Sequence, residues 1–247
     1  MKFRIVLKVI RWVLAIFFSS TILAVVAYRF IPVYVTPLMI IRCCQQVAGG
    51  ETIKLQHHWV ALDNISPHLP VAVMASEDQR FLIHHGFDID AIEKAARSNR
   101  NGGRKLGAST ISQQTAKNVF LWPGRSWTRK GFEAYFTALI ELLWGKHRIM
   151  EVYLNSIEMG DGIYGADAVA RHHFGKKASE LSRSECALIA ATLPNPRKYD
   201  SSNPSAYMRV RCGQIERQMK FIPSFPREGE DYDPSTTSGG VYHRRRR

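Results

Sequence analysis

The segment WVLAIFFSSTILAVVAY, Trp12 to Tyr28, contains no charged side chain, and apolar residues continue past Arg29. With its flanks it reaches the roughly 20 residues that a helix needs to cross a bilayer. Lys2, Arg4, Lys8 and Arg11 precede it, whereas only Arg29 and Arg42 follow closely. Flanking cations stay on the cytoplasmic side, so the body of the chain is expected on the opposite side. Trp12 and Tyr28 stand where interfacial aromatic residues belong. The apolar run is too long for a cleavable signal peptide, and no small-x-small site follows it cleanly. The segment therefore reads as a retained anchor. It is expected to act as a tether that supplies no catalytic group and whose removal, with residues 1–42, leaves a folded domain.

The 34 Lys and Arg outnumber the 21 Asp and Glu, for a net charge of +13. Such an excess suits an anionic partner: nucleic acid, anionic lipid headgroups or a phosphorylated substrate. A body outside the cytoplasm argues against nucleic acid. The four cysteines, Cys43, Cys44, Cys186 and Cys212, show neither a CxxC nor a metal-ligand spacing, and nothing in their spacing supports a Cys186–Cys212 disulfide.

Residues 1–30 form the cytoplasmic start and anchor. In residues 31–61, Pro32 and Pro37 are expected to break any helix, which leaves a connector of turns or short strands. Residues 62–226 form the main domain. There, Ser66 and Pro67 are placed to start a helix. STISQQTAKNVFL reads as a helix, and Phe132, Tyr135, Phe136, Leu139, Leu142 and Leu143 recur at helical spacing. Ser182 and Glu185 form a capping box, with Leu181 and Cys186 as a staple. The glycine-rich basic loop at residues 100–108 fits a gate, a headgroup contact or a solvated loop. The polar tail at residues 227–247, ending in four arginines, reads as disordered. Few segments alternate like strands, so the body is expected to be mainly α and two-lobed around a cleft.

Three stretches carry candidate chemistry. In ASEDQRFLIHHGFDID, the apolar run VAVMA stops at Glu77 and Asp78. This suits either a helix end meeting water or a carboxylate held at a cleft wall to take a proton. In GASTISQQTAKN, Thr110, Gln113, Gln114 and Lys117 share one helix face. That face serves equally as a solvated surface or as a hydrogen-bonding floor for a sugar, with a cation for a phosphate. In GRSWTRKGFE, Arg125, Arg129 and Lys130 surround Glu133. Helical ion pairs of this kind contribute only about 0.2–0.5 kcal/mol each, yet three cations exceed one carboxylate, as a pyrophosphate site requires.

EDQRFLIHHG, GASTISQQTAKN, RKGFE, KHRIMEVYLN and FGKKASELSRSECALIAATLPNPRKY occur in that order. Together they closely resemble the peptidoglycan glycosyltransferase family, over about Leu62 to Ser205. The resemblance implies a mainly α, lysozyme-like fold with two lobes. It also implies an activity: polymerisation of lipid II into β-1,4-linked glycan strands, with inversion and release of undecaprenyl pyrophosphate. It makes Glu77 the catalytic base, and an apolar wall is expected behind it. Glu133 becomes the second essential glutamate, which positions cations or a divalent ion. Ser109, Thr110, Gln113, Gln114, Lys117, Arg125, Arg129, Lys130 and Phe81 become substrate-binding residues, and Phe81 is also expected to pack against the cleft wall. Asp78 is expected to cap or orient the helix end, and His84, Glu151 and Asn155 to be structural. The family often has an apolar or acidic residue where His85 stands; His84 still aligns with the family histidine.

The resemblance further implies no obligatory cofactor, with magnesium or manganese admissible near the pyrophosphate. The implied partners are lipid II, the growing strand, the membrane and proteins of cell-wall synthesis or division, with no nucleic acid. The implied location is the bacterial inner membrane, with a periplasmic catalytic domain. The chain has no room for a transpeptidase domain and lacks S-x-x-K and K-T-G motifs, so it resembles the monofunctional branch of the family. Two rival readings remain: a tethered muramidase using Glu77 as an acid, and a non-catalytic precursor-binding scaffold.

Overall fold

The uncharged N-terminal run belongs to a longer helix, α1, Lys2–Phe30. At 1.5 Å per residue, its 29 residues span about 43 Å, more than the roughly 30 Å hydrocarbon core. The computed structural model describes residues 2–100, 107–124, 126–227 and 229–230. The basic loop apart from Arg100 and residues 107–108, Arg125, and nearly all of the tail lie outside the described residues.

The last part of α1 is built into the body. Val25 is fully buried, and Trp144 Nε1 donates to its carbonyl at 2.8 Å. The Thr21 hydroxyl meets Tyr135 Oη at 2.8 Å, and Phe17 packs against Phe132 and Tyr135. Arg148 donates through Nε and Nη2 to the carbonyl of Tyr28, and through Nη2 to that of Ile31. These bonds satisfy carbonyls left open at the helix end. The tether is thus also a docked helix, a correction to the sequence expectation.

The connector holds a helix as well. Pro37 opens α2, Pro37–Ala48, at a first-turn position where its missing N–H costs nothing, and Thr36 caps it by accepting from Met39 N. The expectation that Pro37 prevents a helix fails for this reason. A truncation after residue 42 would cut α2 in half and remove Val33 and Met39 from buried positions.

Four helices frame the site: α3, His68–Glu77; α5, Ile111–Phe120; α6, Trp127–Leu143; and α7, Lys146–Ser156. Helix α3 begins one residue later than Ser66 as a cap suggested, with Pro67 at the cap position. Helix α4, Ile89–Arg100, is amphipathic, with only Ala95 buried. Leu142, assigned to the apolar stripe of α6, is instead 80% exposed. Three short strands, β1 (Gln56–His57), β2 (Glu158–Gly160) and β3 (Ile163–Tyr164), form a sheet in the order β1-β3-β2. β1 runs parallel to β3, and β2 antiparallel to it.

Helices α8, Ala166–Phe174, α9, Arg183–Thr192, and α10, Ala206–Gln218, complete the core. The Ser182–Glu185 capping box is present, and Leu181 and Cys186 are both buried. Helix α10, which sequence periodicity did not reveal, packs on α9 and α3. Cys186 and Cys212 are separate thiols, and burial pushes the Cys186 thiol up to about 12.

Candidate active site

Glu77 is the last residue of α3 and is half-buried. Its Oε1 accepts from Ser76 Oγ at 3.0 Å and its Oε2 from Gln114 Nε2 at 3.2 Å. Tyr153 on α7 fixes that amide by donating its hydroxyl to Gln114 Oε1 at 3.2 Å. Burial first, then the charges of Glu77 and Asp78, hold the Tyr153 phenol well above its ordinary pKa, so it remains a donor. Behind Ser76, Arg211 of α10 reaches both its hydroxyl and its carbonyl. Neutral polar groups, rather than the expected apolar wall, therefore orient the glutamate.

Asp78 joins two elements. It accepts from His84 Nε2 at 2.9 Å and from Ile111 N, the first amide of α5, at 3.0 Å. The expected helix-end role is met, though at the start of α5 as much as at the end of α3. Thr110 caps α5 in a reciprocal box with Gln113, and its hydroxyl donates to Gly86 O at 2.7 Å. Gly86 has φ +85°, and a Cβ there would approach Thr137 Cγ2 to 2.8 Å, so glycine is required.

Thr110 and Gln113 are consequently buried and occupied. Of the four residues predicted to share a face, Gln114 and Lys117 present themselves to the cleft. Phe81 is fully buried, stacks on Phe225 and lies 4.6 Å from Lys146 Nζ, so it backs the wall, as the packing reading expected, and leaves no ring surface open for the substrate contact that was also assigned to it.

Glu133 lies inside α6, 3% exposed. Arg129 Nη1 donates to it at 2.8 Å, and Lys130 Nζ pairs with its other oxygen. Lys117, on the neighbouring α5, is open to the cleft. Desolvation by the cleft walls nevertheless lowers its ammonium pKa, reinforced by Arg129 and Lys130 and opposed by Glu133 and Glu77. Lys117 thus feels both glutamates.

Two cavities with no lining residue in common flank this wall. One, about 830 Å³, is bordered by Glu77, Arg80, Asp88, Lys94, Ser109 and Thr110. The other, about 400 Å³, is bordered by Arg42, Gln114, Lys117, Trp122, Arg129 and Glu158. Gln114 is the link, since it lines the second cavity and bonds the glutamate of the first. Ser109 is exposed at the first cavity. Among the described residues, no three His, Cys, Asp or Glu side chains converge as a metal site. Both Glu133 oxygens are already engaged by cations, so they do not form a dedicated ion cage.

Glu151 and Asn155 are structural, as expected. Glu151 Oε1 accepts from Leu62 N, and the Asn155 amide exchanges two bonds with Val60. Sequence reasoning missed Ser76, Tyr153 and Arg211. Tyr153 at least lies inside KHRIMEVYLN, one of the stretches that carried the resemblance; Ser76 and Arg211 left no comparable signal.

A family model described as Transglycosylase matches residues 45–220. Three relatives carry the name biosynthetic peptidoglycan transglycosylase. The protein of Bacteroides thetaiotaomicron is 62% identical over 221 residues, covering 90% of this chain and 89% of its own. That of Pseudomonas putida is 55% identical over 211 residues, covering 85% and 89%. That of Xanthomonas campestris pv. campestris is 53% identical over 217 residues, covering 86% and 88%.

Proposed function

The chain belongs to the transglycosylase family, and on that premise we propose that it polymerises lipid II across its two adjoining cavities. It is a peptidoglycan glycosyltransferase anchored by α1, the one helix among the described residues long and apolar enough to span a bilayer. The supporting observation is the division of charge along one wall: a carboxylate with no bonded cation among the described residues at the larger cavity, and a cation cluster at the smaller.

In this reading the larger cavity holds the acceptor. Glu77 takes the proton of the C4 hydroxyl on the acceptor N-acetylglucosamine as that oxygen attacks the anomeric carbon of the donor muramyl sugar. The new C–O bond forms as the bond to pyrophosphate breaks, which inverts the α-linked donor to a β-1,4 link. Undecaprenyl pyrophosphate leaves with the electron pair. Pyrophosphate needs charge neutralisation more than a general acid, and Lys117 and Arg129 are placed to supply it; Arg125 is assigned the same role from the motif. Glu133 holds Arg129 and Lys130 in place. A magnesium or manganese ion would be carried chiefly by the pyrophosphate oxygens.

The substrate's polyprenyl tail keeps the reaction at the membrane surface, consistent with α1 docked beside α6. The charge asymmetry about α1 supports a cytoplasmic N-terminus and a periplasmic body at the bacterial inner membrane. Proteins of cell-wall synthesis or division are the partners that this location would offer.

The test is incubation of full-length protein with labelled lipid II, followed by muramidase digestion of the product. Muramidase-sensitive polymer is expected. Shortening of preformed glycan, or binding without turnover, would replace this reading with the lytic or the scaffold one.

A further inference from the structure

The smaller cavity does not end at Glu158. Arg42 and Glu158 also border a 70 Å³ depression, which shares Asp161 and Arg197 with a third cavity of about 470 Å³. Pro196 lines the smaller and the third cavity directly. The third cavity shares no lining residue with the one beside Glu77. It therefore continues the cation-lined side of the cleft.

Its chemistry is distinct. Asp161 accepts from Lys54 Nζ at 2.8 Å and lies 3.5 Å from Arg197 Nε, so one carboxylate faces two cations. Lys198 adds a third, close to the Tyr199 ring. Tyr199 is backed by a stacked Tyr207, with ring centres 5.5 Å apart. Ser201 and Asp200 hold His173 at 2.7 and 3.4 Å. The β2–β3 turn is pinned where Gln56 N donates to Gly162 O at 2.8 Å. With Asp161 and Asp200 set against Lys54, Arg197 and Lys198, the rim keeps one positive charge in excess, and with its aromatic wall it suits a short, flexible chain bearing carboxylates.

We propose that this third cavity receives the acidic stem peptide carried on the muramyl lactyl group of the donor strand. The proposal rests on the donor assignment of the adjoining cavity. Carboxylates of the peptide meet Lys54 and Lys198, and its backbone lies along Tyr199. The cavity would thus make the enzyme sensitive to the peptide, which takes no part in the bond being made.

The experiment compares two lipid II substrates in detergent with full-length protein. One bears the complete acidic peptide; the other has its lactyl group capped as a simple amide. The wild type should prefer the peptide-bearing substrate by about tenfold in kcat/KM, the size of one modest charge-assisted contact. A Lys54→Ala/Lys198→Ala variant should erase that preference and keep its rate on the amide within about twofold, because both side chains are solvent-exposed. Absence of a preference in the wild type, or equal losses on both substrates, would overturn the proposal; equal losses would mean that the cations serve the glycan or the fold.

A second readout needs no turnover. Free isotope-labelled acidic pentapeptide should show line broadening in NMR with the wild type and not with the variant. Peptide binding without polymerisation of either lipid would sink the polymerase reading and leave the cavity assignment standing. Polymerisation with no peptide binding would sink the cavity assignment alone.

Discussion

Glu77 and Glu133 are the same side chain treated in opposite ways. Glu77 ends a helix and is half-buried, held by a serine hydroxyl and a glutamine amide. Glu133 lies within a helix, 3% exposed, and is held by a guanidinium and an ammonium. A carboxylate oriented by neutral donors keeps its charge available for an incoming proton. One paired with two cations spends its charge on holding them. On the proposed reading, a single residue type serves as a base in one place and as an organiser of positive charge in the other, set by whether the neighbours are ionised.

The largest expected effect tests the first half of the contrast. Glu77→Gln preserves size and hydrogen bonding but removes the proton acceptor. Polymerisation should fall by about two orders of magnitude or more, with the thermal midpoint unchanged. Retention of near wild-type turnover would remove Glu77 from the role.

The next effect tests the second half. Glu133→Gln leaves Arg129 and Lys130 without their counter-charge, and Arg129 is mostly buried. This substitution should lower both activity and stability, the latter by about 2 kcal/mol once the exposure of Lys130 is allowed for. Thermal denaturation beside a turnover assay separates the cases. A fully active or fully stable variant would break the contrast with Glu77.

The smallest effect is a shift in pH dependence. The folded pKa of Lys117 is lowered, so its charge is lost at a lower pH than that of an ordinary lysine. In that window the unfolded chain binds the additional proton, so this group's contribution to stability rises with pH while its catalytic charge disappears. Activity should therefore decline on the alkaline side below the ordinary lysine range. Lys117→Arg should retain its charge and move that decline upward. An unmoved alkaline limb would show that Lys117 does not titrate there.

Several parts of this picture were legible from residue order. The Ser182–Glu185 box, the helix beginning at Ile111 and the retained Glu–cation cluster at Glu133 depend on neighbours within one turn, and local sequence encodes those directly. Leu142 misled because helical spacing says that a residue is apolar, but not whether any surface will cover it, and it stays 80% exposed. Phe81 was placed on the wall from sequence, but its covering partners, Phe225 and Lys146, are distant in sequence and were not legible there. Pro37 was read as a breaker when Thr36 before it made it a helix start.

Sequence by itself determined the long apolar anchor and the mainly helical character, because each rests on composition or on spacing within a helix; the order of the motifs carried the family resemblance, and that resemblance, not spacing, singled out Glu77 and Glu133. Tertiary structure decided the rest. It placed Tyr153 and Gln114 behind Glu77, Arg211 behind Ser76, and Arg148 on the last carbonyls of α1. These contacts join residues from about 40 to more than 130 positions apart, and the bonds form only after packing has brought the helices together. Hydrogen bonds are short-ranged and directional, so no local pattern records which partner a buried donor will find.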